Sequence, residues 1–152
     1  MNRDYVIKVF LFLSVFYVAC RKEENAKPDG YTYYQVGFKS PTANWRDTAF
    51  IVRTKNAALI QAADAQLALP IAQRQIVFGE LATGDGGYNK NASFSFNWHF
   101  KEERWNLVDV TAEIYDGKAY TDVHLNTDYW QQTMTRFGAW SSFLRKKLPG
   151  KP

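Results

Sequence analysis

Between Ser93 and Lys101 every second residue is aromatic: Phe94, Phe96, Trp98 and Phe100 alternate with Ser95, Asn97, His99 and Lys101. A period of two places the first set on a buried face of a β-strand and the second on the opposite face. The same alternation returns between Leu107 and Tyr115, where Val108, Val110, Ala112 and Ile114 share one face and Asp109, Thr111 and Glu113 the other. The charged stretch Lys101 to Arg104 is predicted to join these two strands as a hairpin. Upstream, Ile76 to Leu81 forms an apolar strand that runs into Gly84-Asp85-Gly86-Gly87, a turn in which glycines tolerate positive φ.

Elsewhere the pattern is shorter but readable. Tyr31 to Phe38 alternates aromatic and polar residues, and Phe50, Ile51 and Val52 lie in a β-prone run from Thr48 to Arg53. Helix formers follow Asn56, with Leu59, Ile60, Ala63 and Leu67 at helical spacing; Asn56 suits the N-cap and Pro70 the stop. Short helices are expected near 119–137, and a last strand or extended arm between Ala139 and Leu148. The sum is a single α+β domain over 31–152, with a largely antiparallel sheet and one main helix (about 56–69) packed on one face.

Ahead of that domain, Arg3 and Lys8 flank an apolar run from Val9 to Ala19 that ends at Cys20, the chain's one cysteine. The run is too short to cross a bilayer as a helix, which takes about 20 apolar residues. Its end, Phe16 to Cys20, resembles a bacterial lipobox, with Tyr17 in place of the usual leucine. That resemblance implies a signal peptide over 1–19, lipidation of Cys20 with fatty acyl groups such as palmitate, and a membrane partner held through that anchor. Residues 20–30 then read as a charged tether. The Lys22-Glu23-Glu24 run leads to the expectation of an outer-membrane lipoprotein of the bacterial envelope, with surface exposure as one version of it. A signal peptide cut elsewhere and a tether without an address are the plain alternatives.

Charge changes the picture little. The chain has 19 basic and 15 acidic side chains, and removing the leader with Arg3, Lys8 and Asp4 leaves +3. No basic cluster is interleaved with aromatics, which argues against nucleic acid as a partner. Arg145, Lys146, Lys147 and Lys151 make a basic C-terminus, either a solvated tail or a contact for anionic headgroups. With Cys20 acylated, no thiol is left for a disulfide, a metal or a nucleophile.

Candidate chemistry gathers on the polar face of the predicted hairpin. His99 and Asn97 share a face, and an even register brings Asp109 or Leu107 opposite His99, with Glu113 farther along. Such a set could make a polar pocket, bind a divalent cation or do acid-base work, or could be the solvent side of a half-buried sheet. No ligand spacing typical of metal sites occurs, and neither a metal nor a cofactor is predicted. Asp85 and Asn89 in the glycine turn could offer oxygens to calcium, but the EF-hand pattern is absent and a hairpin loop explains the same residues. Trp98 and Trp140 are expected in the core; Trp105 and Trp130 are undetermined. His124 reads as a surface residue, and Ser141 and Ser142 lack nucleophile-elbow glycines.

Three segments, GELATGDGGYN with the later WHF, then DVTAEIYDG, then DYWQQTMTRFGAWSS, resemble in their order a calmodulin-binding-protein-like family of small secreted domains. The similarity runs from about Phe50 to Arg145. The family carries cysteines at the positions of Tyr115 and Gly138, which implies a disulfide in relatives that this chain lacks. No catalytic residues come with the resemblance, and calmodulin binding is not carried over. Three functional readings stand on the sequence: a lipid-anchored envelope module that binds an unidentified protein or small molecule, a small envelope enzyme using His99 with Asp109 or Glu113, and a structural subunit of an envelope assembly.

Overall fold

A computed structural model describes residues 29–112 and 117–152. Signal peptide 1–19, the lipidation position Cys20, most of the tether, and Glu113, Ile114 and Tyr115 lie outside the described residues.

Aromatic alternation and β-branched runs build two three-stranded antiparallel sheets. In the first, β1 (Thr32–Phe38) lies between β2 (Ala49–Thr54) and β8 (Ser142–Lys147). In the second, β3 (Ile76–Thr83) lies between β6 (Trp98–Val108) and the short β7 (Arg136–Phe137). Two further short strands, β4 (Lys90–Asn91) and β5 (Phe94–Ser95), pair with each other. The fold is α+β, mainly antiparallel sheet with a few short helices.

The inward faces meet in one core. Tyr34, Val36, Phe50 and Val52 from the first sheet pack with Val77, Leu81, Trp98, Phe100 and Trp105 from the second. Phe50 sits among aromatic rings, 5.2 Å from Trp98, 5.5 Å from Phe100 and 6.1 Å from Phe137 between ring centroids. Rings at such spacing and tilt gain about 0.5–1.5 kcal/mol per pair beyond the area they bury. The single full-length helix among the described residues, α1 (Ala57–Leu67), starts where Asn56 accepts the N–H groups of Ala58 and Leu59. It lays Ala63, Leu59 and Leu67 on the core, as its spacing predicts, while Ile60, predicted on the same face, is half-buried outside that cluster. In place of regular late helices, Ala119–His124 and Trp130–Met134 are π-helical turns with a single α-turn, Thr127–Tyr129, between them.

The predicted hairpin at Lys101–Arg104 does not form. Trp98 to Val108 is one continuous strand, with Leu81 opposite Phe100 and Gly79 opposite Trp105, so residues 101–104 bulge past Glu80. This bulge resets the alternation and turns both Phe100 and Trp105 inward. Lys101, Glu102, Glu103 and Arg104 are charged because they are on the outside of a bulge, and the first three find partners in β3, in β2 and just beyond β2.

Those partners explain how two open sheets hold together. β2 and β6 lie edge to edge without a backbone ladder, and side chains fill the gap. The Asn89 carboxamide, fully buried, accepts the Ile51 N–H at 2.9 Å and donates to the Trp98 carbonyl at 2.8 Å. The Trp105 indole donates to the Arg53 carbonyl at 2.8 Å, Arg53 pairs with Glu102, and Glu103 accepts the Lys55 N–H. Exposed strand edges invite pairing with other chains, and this side-chain seam covers two of them.

Candidate functional site

The outer face of the second sheet carries an apolar concavity. Its floor is Phe78 of β3, which points away from the core. One wall is the end of β6 and the chain beyond it, Val108 and Val110; the other is Met134, Trp130 and the β7 strand. The groove has a volume of about 380 Å³, within the range of small-molecule pockets, roughly 300–1,000 Å³. Ala112 and Gly117 also line it. A Cβ at Gly138 would lie 2.5 Å from a ring carbon of Phe78, so a larger residue there would have to displace that ring.

One charged side chain, Arg136, lines the groove among the described residues. Arg136 reaches the Glu80 carboxylate at 3.3 Å, and Lys101 approaches the other oxygen of the same carboxylate at 3.5 Å. Burial acts to raise the Glu80 pKa, but the charges of Lys101 and Arg104 and the hydrogen bonds from Lys101 and Arg136 outweigh it, so the carboxyl titrates below its ordinary value. Beside the groove Val110 is 81% exposed and Trp140 56% exposed, with the Trp140 indole N–H donating to the Thr111 carbonyl. Trp140 is therefore at the surface, not in the core that the sequence predicts for it. Trp105 and Trp130 are both buried, so neither supplies the exposed aromatic patch that an assembly subunit would present.

The polar residues singled out by the sequence go elsewhere. His99 is half-buried beneath the glycine turn, where its Nδ1 meets the Gly84 carbonyl at 2.7 Å and its ring stands edge-on to Tyr88. A carbonyl only accepts, so Nδ1 carries the proton. Asn97 bridges to the π-helical turn: its N–H donates to His124 Nδ1 and its carboxamide to the His124 carbonyl, both at 3.1 Å. Asp109, beyond the other end of β6, accepts from the Gln75 side chain at 2.9 Å. His99 and Asp109 are ten residues apart along an extended strand, roughly 30 Å at the usual rise, because the hairpin that would have brought them together is absent. Glu113 lies outside the described residues.

The glycine turn is a structural loop. Asp85 accepts the Gly87 N–H at 2.8 Å, and Asn89 is committed to the inter-sheet seam. Among the described residues no group of three His, Cys, Asp or Glu side chains could hold a metal ion. His124 is not a plain surface residue: it stacks on Tyr120 at 5.1 Å and lies beside Phe94. In the basic tail, Lys147 pairs with Asp64 at 2.8 Å and Arg145 folds across Gly37 to reach the Thr48 carbonyl.

The model of the BP-74 N-terminal domain family matches residues 35–151, from β1 through the end of β8. The chain belongs to the BP-74 N-terminal domain family. All three segments that carried the sequence resemblance fall inside the matched span. No curated protein and no solved structure matches the chain. The BP-74 span takes in every described residue of the groove, so the groove belongs to the family domain, not to an appended segment.

Proposed function

We propose that the chain is a binding module, tethered to the cell envelope by a lipid on Cys20, that takes an apolar ligand in the Phe78 groove. The observation that carries this reading is the groove itself: a concavity of about 380 Å³ with an aromatic floor, in a domain whose other large aromatics are mostly packed in the core. Exposed Val110 and Trp140 at its side add apolar surface where a ligand would enter. The tether reading rests on the lipobox resemblance and on the charged run that follows Cys20.

The groove is tested by the melting temperature of the full chain with and without dodecanol, in the wild type and in Met134→Trp. Ligand bound to the native state raises the melting temperature by mass action. Dodecanol is expected to raise it in the wild type and not in the variant, whose indole fills the groove. No rise in the wild type, or the same rise in both, contradicts the reading. The anchor is tested by radiolabelled palmitate: label that persists in Cys20→Ala contradicts lipidation there.

A further inference from the structure

Among the described residues the groove lining is mostly apolar, and its one charged side chain, Arg136, is cationic. Arg136 lies on β7 directly opposite Glu80, and Glu80 follows Phe78 by two residues on the same face of β3, about 7 Å along the strand. Two cations, Arg136 and Lys101, already contact the single Glu80 carboxylate, and the charge of Arg104 bears on it as well. Among the described residues, three positive charges thus surround the one Glu80 carboxylate next to the groove-lining Arg136. The Arg136 side chain is 56% exposed, and its contact with Glu80 engages one of its two terminal amino groups. A guanidinium has five N–H donors in a fork that matches a carboxylate, so donors remain for a second anion.

Resting on the groove as a ligand site, we propose that its ligand is an amphiphile with an apolar chain and an anionic head, a free fatty acid, the head held by Arg136. The chain lies over Phe78 between Val108 and Met134. The carboxylate sits where the apolar lining ends, and Lys101 and Arg104 offset the repulsion from Glu80. An uncharged chain of the same length fills the same groove but forgoes the ion pair. The match of charge selects this occupant over an apolar peptide segment or a neutral lipid: either would leave Arg136 at the mouth with nothing more to bind than Glu80.

The test is displacement of the apolar fluorophore N-phenyl-1-naphthylamine from the full chain by laurate and by dodecanol, near neutral pH where the laurate carboxyl is ionised. Wild type, Arg136→Gln and Arg136→Lys are compared, with folding of each checked by its melting temperature. Laurate is expected to displace the probe at roughly threefold to tenfold lower concentration than dodecanol in the wild type. That advantage, read as the laurate-to-dodecanol ratio within each variant, is lost in Arg136→Gln and partly restored in Arg136→Lys. Equal potency of laurate and dodecanol in the wild type, or a laurate advantage that survives Arg136→Gln, overturns the anionic head and leaves the groove as an apolar site. Failure of the probe to bind, or of either chain to displace it, overturns the groove reading as well.

Discussion

The side-chain oxygen of Asn89 accepts the backbone N–H of Ile51 at 2.9 Å, across the seam where β2 and β6 meet. The same carboxamide donates to the Trp98 carbonyl, so one buried side chain satisfies one edge group of each sheet. Removing it leaves a donor and an acceptor buried without partners, at about 1–3 kcal/mol each. Asn89→Ala is therefore expected to lower the unfolding free energy by about 2–4 kcal/mol, read from urea denaturation. A loss no larger than an ordinary surface substitution contradicts the role of the seam.

Gly79 marks where β3 crosses the bulge of β6. A Cβ there would lie 2.8 Å from the Phe100 ring and 2.8 Å from the Trp105 Cβ, both fully packed. Neither neighbour is a flexible chain end, so Gly79→Ala must push the bulge apart. The expected cost is about 1–3 kcal/mol, as for overpacked cores, seen as a lower urea midpoint with an unchanged slope.

His124 gives the domain a dependence on pH. Its pKa is lowered from the usual value, first by burial against Tyr120 and Phe94 and then by the charge of Arg46, whose guanidinium lies 5.2 Å from the Tyr120 ring centre. Protonation also removes the acceptor that Nδ1 offers the Asn97 N–H. A folded-state pKa below the unfolded value means that the stabilisation is complete above about pH 6.5 and is lost as pH falls below it. Melting temperature should drop between pH 7.5 and 5.5, and His124→Gln should flatten that drop while leaving the loss at more acidic pH, where carboxyls titrate.

His99 is expected to matter for stability and not for the groove. Its ring supports the glycine turn through the Gly84 carbonyl, far along β6 from Phe78. His99→Ala should cost about 1–2 kcal/mol and leave dodecanol binding unchanged. A variant of normal stability that no longer binds would restore the polar face as the ligand site.

Most of the secondary structure was legible because it follows local periods: the Phe94–Phe100 alternation, the Asn56 cap, the Pro70 stop. The hairpin at Lys101–Arg104 failed because four charged residues between apolar runs read equally well as a turn or as the outside of a bulge. Their partners, Arg53, Lys55 and Glu80, are more than twenty residues away in sequence and leave no local mark. Trp105 and Trp130 could not be placed for the same reason: the bulge and the π-turns break the periods that would assign a face. The groove was not legible at all. Phe78, Val110, Met134 and Arg136 come from three separated segments, and no motif joins them. The one signal in the sequence was Gly138, and its meaning appears only once Phe78 is seen against it.

The most direct measurement of the groove as a ligand site uses its own methionine. The chain has two methionines, Met1 and Met134, so a ¹³C-methyl spectrum gives Met134 one resonance that is readily assigned. Titrating the full chain with dodecanol should shift the Met134 methyl in a saturable way, with the Val108 and Val110 methyls moving alongside it. A Met134 resonance that stays fixed while the Met1 signal or methyls of other regions respond, or a spectrum in which nothing moves, would contradict the account.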